Sequence, residues 1–293
     1  MAGETSAAQT AYGPMVLVAV EQFTPASRRI ITDELAIRFM PAAGRWMIDA
    51  CRWGWLREQF IKLSEAQAPG IYGGMLCRKR YADDRVKGAL DAGIGQVVIL
   101  GAGLDTKVCR LVAPRDVAAF EVDQPQNMLY KEKRLRAIYG RTPDDVAFIP
   151  INFESDDLAA ALTARGFDFA RPTLFVWEAV TQYLTEDAVR KTLTVLARAA
   201  SSSQFIFTYV LKDFLDGVNM YGCESMYRRF VASANPIWRF GLTPGAVAPL
   251  LGEYGWAQRE QLGRSEFIAR YIAPTGRKLD VYEIERFAYA VKQ

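Results

Sequence analysis

The chain alternates between short apolar runs and amphipathic segments from residue 96 to residue 210, and this alternation restricts its possible folds more than any other feature. Five apolar runs are typical of buried strands: QVVIL (96–100), VAAFEV (117–122), VAFIPI (146–151), PTLFVW (172–177) and SQFIFTYV (203–210). The segments between them have helical periodicity and are predicted as helices at 105–112, 126–140, 156–166 and 185–200. This order predicts an α/β fold with a doubly wound, mostly parallel, Rossmann-like sheet and helices on both of its faces.

The N-terminal quarter lacks this alternation and is predicted to be a helical cap over residues 1–75. ITDELAIRFM (31–40) and RWMIDACRWGWLREQFIKLSEA (45–66) have apolar residues at helical spacing, with an interruption at Pro41. Three tryptophans lie in the second stretch. They either pack on the main core or line an acceptor pocket, and the sequence leaves both interpretations open.

The alternation also ends after the fifth predicted strand. Residues 212–242 are rich in aromatic residues, methionine and arginine, and we interpret them as a lid-like insertion. A helix is predicted at 243–255, and two further strands are predicted at 267–274 and 280–293. The chain is therefore predicted to be one domain in four parts: the cap (1–75), a cofactor-binding core (76–211), the insertion (212–242) and a C-terminal helix with strands (243–293).

Composition excludes several classes of site. The 293 residues contain no histidine, which excludes a Ser-His-Asp hydrolase, and no pattern of other ligands indicates a metal site. The net charge of +3 gives no reason to expect nucleic acid or a membrane as a partner. No apolar run approaches the roughly 20 residues of a membrane span, so we expect a cytoplasmic protein. Whether it is a monomer or a homodimer stays open.

The loop after the first predicted strand indicates a cofactor site. Gly101 and Gly103 occupy the position where ligands bind in open α/β sheets, and glycine lets a ligand approach the backbone closely. Asp123 ends the second predicted strand, 20 residues beyond Gly103. Because its carboxylate can accept both hydroxyl groups of a ribose, the sequence predicts a cofactor that contains adenosine.

The residues of the loop favour one adenosine cofactor over another. A dinucleotide-binding loop has the pattern G-x-G-x-x-G, but here Thr106 takes the place of the third glycine and follows Asp105. A carboxylate beside a helix N-terminus would repel a pyrophosphate. Together with Glu178 at the end of the fourth predicted strand, Asp105 suits the cationic end of S-adenosylmethionine better than it suits the pyrophosphate of NAD. NAD stays the alternative cofactor.

Several motifs resemble the leucine carboxyl methyltransferase family, particularly its bacterial branch of natural-product O-methyltransferases. The similar stretches run in the family's order from residue 28 to residue 291. They are RRIITDELA (28–36), CRKRYADD (77–84), QVVILGAGLDTKVCRL (96–111), FEVDQP (120–125), IPINFESDDL (149–158), PTLFVWEAVTQYLTEDAV (172–189) and FAYAV (287–291). The resemblance implies the fold of class I methyltransferases, with S-adenosylmethionine as cofactor, S-adenosylhomocysteine as product and no metal.

The resemblance also implies specific cofactor contacts. Arg78 would pair with the carboxylate of the methionine part, which a guanidinium can bind at two points. Asp123 would hold the ribose, Asn152 and Phe153 would flank the adenine, and Glu178 would approach the amino-acid end. The complete implied set is Arg78, Gly101, Gly103, Asp105, Asp123, Gln124, Asn152, Phe153, Glu178 and Ala179.

Three positions depart from the pattern of the family. Asn152 stands where the eukaryotic members have aspartate, although an amide can still face the adenine amino group. Lys79 and Lys107 replace residues that are more often threonine and arginine. None of these changes removes a contact that the resemblance implies.

The reaction is predicted to be O-methylation of a carboxylate. A carboxyl group with a pKa near 4 is ionised at neutral pH, whereas a phenol with a pKa near 10 needs a base. A chain without histidine suits the acceptor that needs no deprotonation, and this agrees with the carboxyl methylation that the resemblance implies. Methylation of a phenol or enol, with a carboxylate or tyrosine as base, stays open, as does a cofactor-binding protein without catalysis.

The acceptor is expected to be a small, apolar or aromatic secondary metabolite of polyketide-like character, because the insertions are rich in aromatic residues. Tyr209 and Tyr183 are the candidate catalytic residues near the rim of the sheet, and a core role is equally possible for Tyr183. Four arginines are candidates for holding the acceptor carboxylate: Arg80, Arg228, Arg229 and Arg239. Solubility is the alternative role for the three arginines of the insertion.

Overall fold

The structure is a computed structural model that describes residues 12–40, 42–143 and 145–293. Residues 1–11 of the predicted cap and the interruption predicted at Pro41 lie outside the described residues.

An eight-stranded sheet forms the centre of the molecule. Its strands are β1 (Gln96–Leu100), β2 (Ala118–Asp123), β3 (Val146–Pro150), β4 (Thr173–Trp177), β5 (Gln204–Leu211), β6 (Gly241–Leu242), β7 (Trp256–Leu262) and β8 (Glu285–Lys292). The order is β3-β2-β1-β4-β5-β8-β7, and β6 pairs with β5 off this path. Strands β1 to β5 are parallel, while β8 is antiparallel to both β5 and β7. The mostly parallel sheet and its five predicted strands are confirmed.

The helices cover both faces of this sheet. They are α1 (Tyr12–Glu21), α2 (Ala36–Phe39), α3 (Ala42–Ala50), α4 (Gly54–Gln67), α5 (Ile71–Asp91), α6 (Pro125–Tyr139), α7 (Leu158–Thr163), α8 (Glu186–Leu196), α9 (Lys212–Leu215), α10 (Glu224–Phe230), α11 (Val247–Glu253) and α12 (Arg264–Phe267). The helix predicted at 105–112 is instead a π-helical turn over Val108–Val112, followed by a 3-10 turn at Ala113–Arg115. None of the helices in the described part of the chain has the length and apolar composition needed to span a bilayer.

Burial on both faces explains why the central strands are continuously apolar. In β1, Val97 and Ile99 belong to one hydrophobic cluster, and Val98 and Leu100 belong to the cluster on the opposite face. Successive side chains of a strand point to opposite faces, so a strand covered by helices on both sides is predominantly apolar along its whole length. This is the physical basis of the five predicted strands.

The strand predicted at 267–274 is wrong, because this segment is helical. It forms the end of α12, the π-helical turn Ile268–Ile272 and the 3-10 turn Ala273–Thr275. The strand of this region is β7, with the sequence WAQREQL, which among the described strands pairs with β8 alone. An edge strand with a polar face lacks the continuous apolar pattern of a central strand.

Helix α5 was not predicted, because Gly73 and Gly74 resemble a helix breaker. Both glycines lie inside this helix. A Cβ at Gly73 would overlap the carbonyl oxygen of Asp280, and one at Gly74 would overlap the ring of Tyr282. The glycines therefore allow α5 to pack closely against the segment that precedes β8.

The tryptophans of the cap lie on the surface. Trp46, Trp53 and Trp55 are 68%, 55% and 66% exposed, and none of them lines the large cleft described below. Both interpretations of these residues, core packing and an acceptor pocket, are therefore wrong. Helix α4, which carries Trp55, contains no buried residue, although its Phe60 and Ile61 are partly buried against the core. Helical periodicity indicates a common face but not what covers it.

A buried ion pair under β2 makes the stability depend on pH. Glu121 of β2 and Lys131 of α6 are both fully buried, with Lys131 Nζ 2.6 Å from Glu121 Oε2. Burial raises the pKa of Glu121 to about 7, although Lys131 opposes this effect. Because this pKa exceeds that of the unfolded chain, the stability it contributes is complete below about pH 4.5 and is lost as the pH rises through about 7.

We therefore expect Glu121→Gln to reduce the loss of stability between pH 4.5 and pH 8. The difference from the wild type should be on the order of 1–3 kcal/mol over this range. Urea unfolding at a series of pH values measures it, and Glu58→Gln, at an exposed position of α4, is the matched control. Parallel pH profiles for Glu121→Gln and the wild type would contradict the prediction.

Candidate functional site

A cleft of about 1570 Å³ lies at the carboxyl ends of the parallel strands. Its walls come from these strand ends, from α1, α4 and α5, and from the segment between β5 and β7. The cleft brings together all ten residues of the predicted cofactor set: Arg78, Gly101, Gly103, Asp105, Asp123, Gln124, Asn152, Phe153, Glu178 and Ala179. The topology therefore places these residues around one space, as expected for the switch point between β1 and its neighbours.

The loop after β1 needs glycine at two positions. Gly101 has a φ of +73° and Gly103 a φ of +43°, in the left-handed region that other residues rarely adopt. A Cβ at Gly101 would also overlap the side chain of Val180. Ala179, on the facing loop, has a φ of +58° and donates its backbone N–H to Thr208 Oγ1 at 2.7 Å. Glycine at position 101 is therefore required both by the backbone conformation and by the close approach of Val180.

Asp123 organises the loop by accepting three hydrogen bonds. Its Oδ2 accepts from the Gly103 N–H at 2.5 Å, and its Oδ1 accepts from the Gln124 N–H at 2.6 Å and from Asn127 Nδ2 at 2.8 Å. A carboxylate has about four acceptor positions, so one position remains on Oδ2. The expectation that this carboxylate accepts both hydroxyls of a ribose stays a prediction, and in this arrangement three of its acceptor positions are already used within the protein. Burial raises the pKa of Asp123, although these hydrogen bonds oppose that effect.

Six charged side chains form an ion-pair cluster beside this loop. The cluster consists of Arg78, Lys79, Asp105, Lys107, Glu178 and Glu285. Arg78 connects two of its acids, since its Nε lies 3.0 Å from Glu178 Oε1 and its Nη1 lies 2.8 Å from Glu285 Oε2. Arg78 is itself buried, so the two carboxylates are its charge partners inside the protein.

The two lysines connect the other acids of the cluster. Lys107 Nζ lies 2.5 Å from Asp105 Oδ2 and 2.7 Å from Glu178 Oε2. Lys79 Nζ lies 2.7 Å from Asp105 Oδ2 and 3.0 Å from Glu178 Oε1. Burial alone would raise the pKa of Glu178, but Lys107, Lys79 and Arg78 lower it to about 2.

The charges of the cluster cancel, with three cations against three carboxylates. The sequence predicts that the carboxylate of Asp105, beside a helix N-terminus, repels a pyrophosphate. This expectation is wrong, because Lys79 and Lys107 neutralise Asp105. The choice between cofactors therefore depends on the comparisons reported below and not on the charge of the loop.

Asn152 and Phe153 follow β3 and form another part of the cleft wall. The Asn152 backbone N–H donates to Asp156 Oδ2 at 2.8 Å, and Asn152 Oδ1 accepts from the Glu154 N–H at 3.0 Å. The ring of Phe153 lies 6.4 Å from that of Trp177. These contacts hold the amide of Asn152 and the ring of Phe153 in the wall of the cleft.

The two candidate catalytic tyrosines lie in different places. Tyr183 lines the cleft, with its ring in edge contact with Trp238 at 6.4 Å. Tyr209 is fully buried in the core beside Phe207, and the cleft is lined by the next residue, Val210. Because neighbouring residues of β5 point to opposite faces, the structure does not place Tyr209 where it can contact an acceptor.

Only some of the four candidate arginines line the cleft. The three arginines of the insertion are all exposed, and Arg229 and Arg239 line the cleft whereas Arg228 does not. Arg80 is directed away from the cleft, with its Nε 2.9 Å from Asp84 Oδ1 and its Nη1 3.0 Å from the Ile30 carbonyl oxygen. The structure therefore brings two of the four arginines to the site.

Aromatic rings form the cleft wall next to these arginines. Phe230 and Trp238 stack at 4.8 Å with an interplanar angle of 18°, and Tyr183 meets Trp238 edge-on. Met15 of α1 and Met226 of α10 extend this apolar surface. The cleft thus has a polar, charged part at the strand ends and an apolar part under the insertion.

Glu285 and Tyr282 belong to the site but were not identified from the sequence. Both line the cleft, and Glu285 is paired with Arg78. Glu285 is the first residue of β8, and because β8 is antiparallel to β5, this strand begins at the edge where β5 ends. The only sequence signal is an acid directly before the apolar run of the last strand.

Within the residues that the structure describes, no group of three or more Cys, Asp or Glu side chains is arranged to hold a metal ion.

The sequence and the fold were compared with known proteins. The family model of leucine carboxyl methyltransferase matches residues 11–197. A protein from Mycolicibacterium gilvum named "Putative S-adenosyl-L-methionine-dependent methyltransferase" is 31% identical over 227 residues, which are 75% of this chain and 72% of that protein. A protein of the same name from Mycobacterium ulcerans is 29% identical, over 92% of this chain and 89% of its own length.

Two crystal structures are similar in fold. One is a "putative methyltransferase" from Thermobifida fusca, with a TM-score of 0.58 and 17% identity over 81% of this chain and 88% of that chain. The other is a protein of the DUF574 family from Streptomyces avermitilis, with a TM-score of 0.57 and 16% identity over 81% of this chain and 91% of that chain. At these identities the similarity shows the fold alone, and it agrees with the Rossmann-like sheet described above.

Proposed function

Because the chain belongs to the leucine carboxyl methyltransferase family, we propose that it converts a carboxylate of a small apolar or aromatic metabolite into a methyl ester. It is an S-adenosylmethionine-dependent methyltransferase. The observation that carries the proposed acceptor is the position of Arg229 and Arg239. They lie beside an aromatic wall, in the same cleft as the predicted cofactor residues.

The residues present fit the cofactor. When bound, S-adenosylmethionine supplies an electrophilic methyl group on its sulfonium. Gly101 and Gly103, which carry no side chain and line the cleft, would let it approach the backbone of the loop. Asp123 would accept one ribose hydroxyl at the remaining position of Oδ2, and Arg78, whose Nε and Nη1 are paired with carboxylates, would offer Nη2 to the cofactor carboxylate.

The rest of the cleft suits an acidic acceptor. A volume of about 1570 Å³ exceeds the roughly 300–1,000 Å³ of a pocket for one small ligand, so the cleft has room for a cofactor and an acceptor. Arg229 and Arg239 would bind the acceptor carboxylate by charge-assisted hydrogen bonds. Stacked Phe230 and Trp238 would cover its apolar body and exclude water. Because a carboxylate is already ionised at neutral pH, the chain needs no general base.

Acceptor tests distinguish the proposed reaction from its alternatives. The protein is incubated with S-adenosylmethionine and matched aromatic acids and phenols, and the products are identified by mass spectrometry and alkaline hydrolysis. Alkali-labile products heavier by one methylene unit support the carboxyl reaction. Alkali-stable methyl ethers with no reaction of the acids would overturn it, and tight cofactor binding without turnover of any acceptor would indicate a binding protein.

We expect Arg229→Ala and Arg239→Ala each to raise the KM for the acid acceptor by roughly 10–100-fold, since a hydrogen bond to a charged group contributes about 1.5–3 kcal/mol. The affinity for S-adenosylhomocysteine should not change. Arg228→Ala is the matched control, because Arg228 lies beside Arg229 but outside the cleft. Equal KM values for all three variants would remove Arg229 and Arg239 from the acceptor site.

A further inference from the structure

We propose that helices α3 and α4 of the cap form the contact between two copies of this chain. Five of the eight large apolar side chains that are exposed in the described part of the chain lie between residues 46 and 63. They are Trp46, Met47, Trp53, Trp55 and Leu63, which we call the cap patch, and each is at least 55% exposed. Single apolar residues are common on protein surfaces, but such a concentration marks an interaction site.

Exposure along α4 repeats with the period of a helix. Trp55, Gln59 and Leu63 are exposed at spacings of four residues, whereas Phe60 and Ile61 are partly buried against the core. Side chains four residues apart lie on one face of a helix. Helix α4 therefore presents a stripe to the solvent, with Gln59 halfway between an indole and an aliphatic side chain.

The two helices that carry the cap patch are joined closely. Residues 51–53 alone separate α3 from α4, and Arg57 Nη1 of α4 donates to the Cys51 carbonyl oxygen at 3.2 Å. Trp46 and Met47 of α3 are thus held near the start of α4. The five side chains belong to one region of the surface.

The cap patch is large enough to contribute most of a dimer interface. Its three indoles are between 55% and 68% exposed, and with about 250 Å² for each tryptophan they leave on the order of 400 Å² uncovered. Met47 and Leu63 bring the apolar surface to on the order of 600 Å², close to the roughly 800 Å² that each partner buries in a standard interface. The polar residues around the patch supply the remainder.

The charges around the patch suit a copy of the same surface. The exposed charged side chains within residues 44–67 are two acids and two bases: Asp49, Glu58, Arg52 and Lys62. A surface without net charge does not repel its own copy. It also gives no attraction to an anionic membrane, which binds surfaces rich in lysine and arginine. A second copy of the chain therefore fits better than a lipid surface.

Arg52 and Trp53 add a feature that is typical of contacts between proteins. The Arg52 guanidinium carbon lies 5.0 Å from the centroid of the Trp53 ring. Tryptophan and arginine are both enriched among the residues that dominate binding between proteins. Because both side chains are exposed, the pair is available to a partner.

The segment before α1 is not complementary to the patch. Residues 1–11 have the sequence MAGETSAAQTA, which contains no aromatic residue and one large apolar residue, Met1. This composition offers little apolar surface to three indoles. A second copy brings an area of indole and aliphatic surface equal to that of the first.

A two-fold axis beside Gln59 pairs the stripe of α4 with its copy. The axis sets the two helices antiparallel and places Trp55 of each copy against Leu63 of the partner subunit. In such a closed pair the same patch serves on both sides, and two-fold pairs are the most common assemblies of soluble proteins. The contact removes the apolar stripe from water, which is the main favourable contribution to association.

The oligomeric state of the full chain tests the proposal. Light scattering after size-exclusion chromatography and sedimentation velocity over a concentration series measure it for the wild type, Trp55→Gln, the double variant Trp55→Gln/Leu63→Gln, and Leu129→Gln. Leu129 is the matched control, because it is 69% exposed, like Leu63 with 67%, but lies on α6 outside the cap patch.

We expect the wild type and Leu129→Gln to have twice the mass of one chain at micromolar concentration. Trp55→Gln should raise the Kd of the dimer by about tenfold or more, and the double variant should be monomeric. A wild type that is monomeric throughout the series, or a dimer that persists unchanged in the double variant, would overturn the proposal.

Two other occupants of the patch are distinguished in the same experiment. A monomeric wild type that sediments with vesicles of phosphatidylcholine and phosphatidylglycerol, and that loses this binding in Trp55→Gln, would assign the patch to a membrane and overturn the proposal. A chain that becomes dimeric only after residues 1–11 are removed would assign it to that segment and also overturn the proposal.

A cross-linking test covers the case in which the double variant does not fold. Gln59→Cys places a thiol beside the proposed axis, opposite its counterpart in the partner. Mild oxidation should convert this variant into a disulfide-linked dimer on a non-reducing gel. The wild type gives the background from the four native cysteines, and Leu129→Cys is the control for an exposed thiol elsewhere. No cross-link in Gln59→Cys, or equal cross-linking of both variants, would overturn the antiparallel arrangement.

Discussion

Replacing Arg78 with alanine is expected to lower the free energy of unfolding by about 3–5 kcal/mol, because it leaves two buried carboxylates without their shared partner. Glu178 and Glu285 are both at least 90% buried and lie 3.0 and 2.8 Å from the Arg78 guanidinium. The same change should weaken the binding of S-adenosylhomocysteine by roughly 10–100-fold. Chemical denaturation measures the first effect and calorimetry the second.

The neighbouring arginine provides the control for this variant. Arg80 lies on the same helix but forms a partly exposed pair with Asp84, so Arg80→Ala should cost only about 0.2–1 kcal/mol and should not change cofactor affinity. Arg78→Lys retains the charge but loses the planar guanidinium group. Compared with Arg78→Ala, it should recover more of the free energy of unfolding than of the affinity for S-adenosylhomocysteine. Wild-type affinity in Arg78→Ala would remove Arg78 from the cofactor site.

Replacing Lys107 with methionine is the second change with a large expected effect. Lys107 is fully buried, and its ammonium is the shared partner of Asp105 and Glu178, at 2.5 and 2.7 Å. Burial alone would lower the pKa of Lys107, but Asp105 and Glu178 raise it, so the residue is charged inside the protein. Methionine fills a similar volume without charge, and we expect a loss of about 3–5 kcal/mol in denaturant unfolding.

Two further variants show whether this loss is electrostatic. Lys79 contacts the same acids but its side chain is 13% exposed, against 1% for Lys107, so Lys79→Met should cost clearly less. Adding Asp105→Asn to Lys107→Met removes one of the uncompensated charges. We expect a favourable coupling of about 0.5–3 kcal/mol between these two substitutions. Strictly additive losses would mean that Lys107 stabilises the fold by packing and not by charge.

The parts of the fold that could be predicted from the sequence are those whose environment leaves a local pattern. Strands β1 to β5 are covered on both faces, so apolar runs and the helices between them indicate the parallel sheet. Edge strand β7 has no such pattern, and the true role of Gly73 and Gly74 depends on Asp280 and Tyr282, about 200 residues away. Local periodicity contains no information about such a contact.

The candidate site also has features that could be predicted from the sequence and features that could not. Residues at the ends of β1 to β4 could be assigned to the cofactor cleft because the carboxyl ends of parallel strands meet at one edge. The orientation of single side chains could not be predicted. Arg229 and Arg228 are neighbours with the same chemistry, and only the first lines the cleft. Tyr209 and Val210 differ in the same way on β5.

The class of fold, the edge of the sheet that carries the site and the family could all be assigned from the order of residues along the chain. The electrostatics of that site became clear from the folded arrangement, above all that Lys79 and Lys107 neutralise Asp105. The reason is that ion pairs depend on distance in space. The two ion pairs of Arg78 join residues 100 and 207 positions apart, and a sequence pattern spans only the few residues of one helical turn or strand.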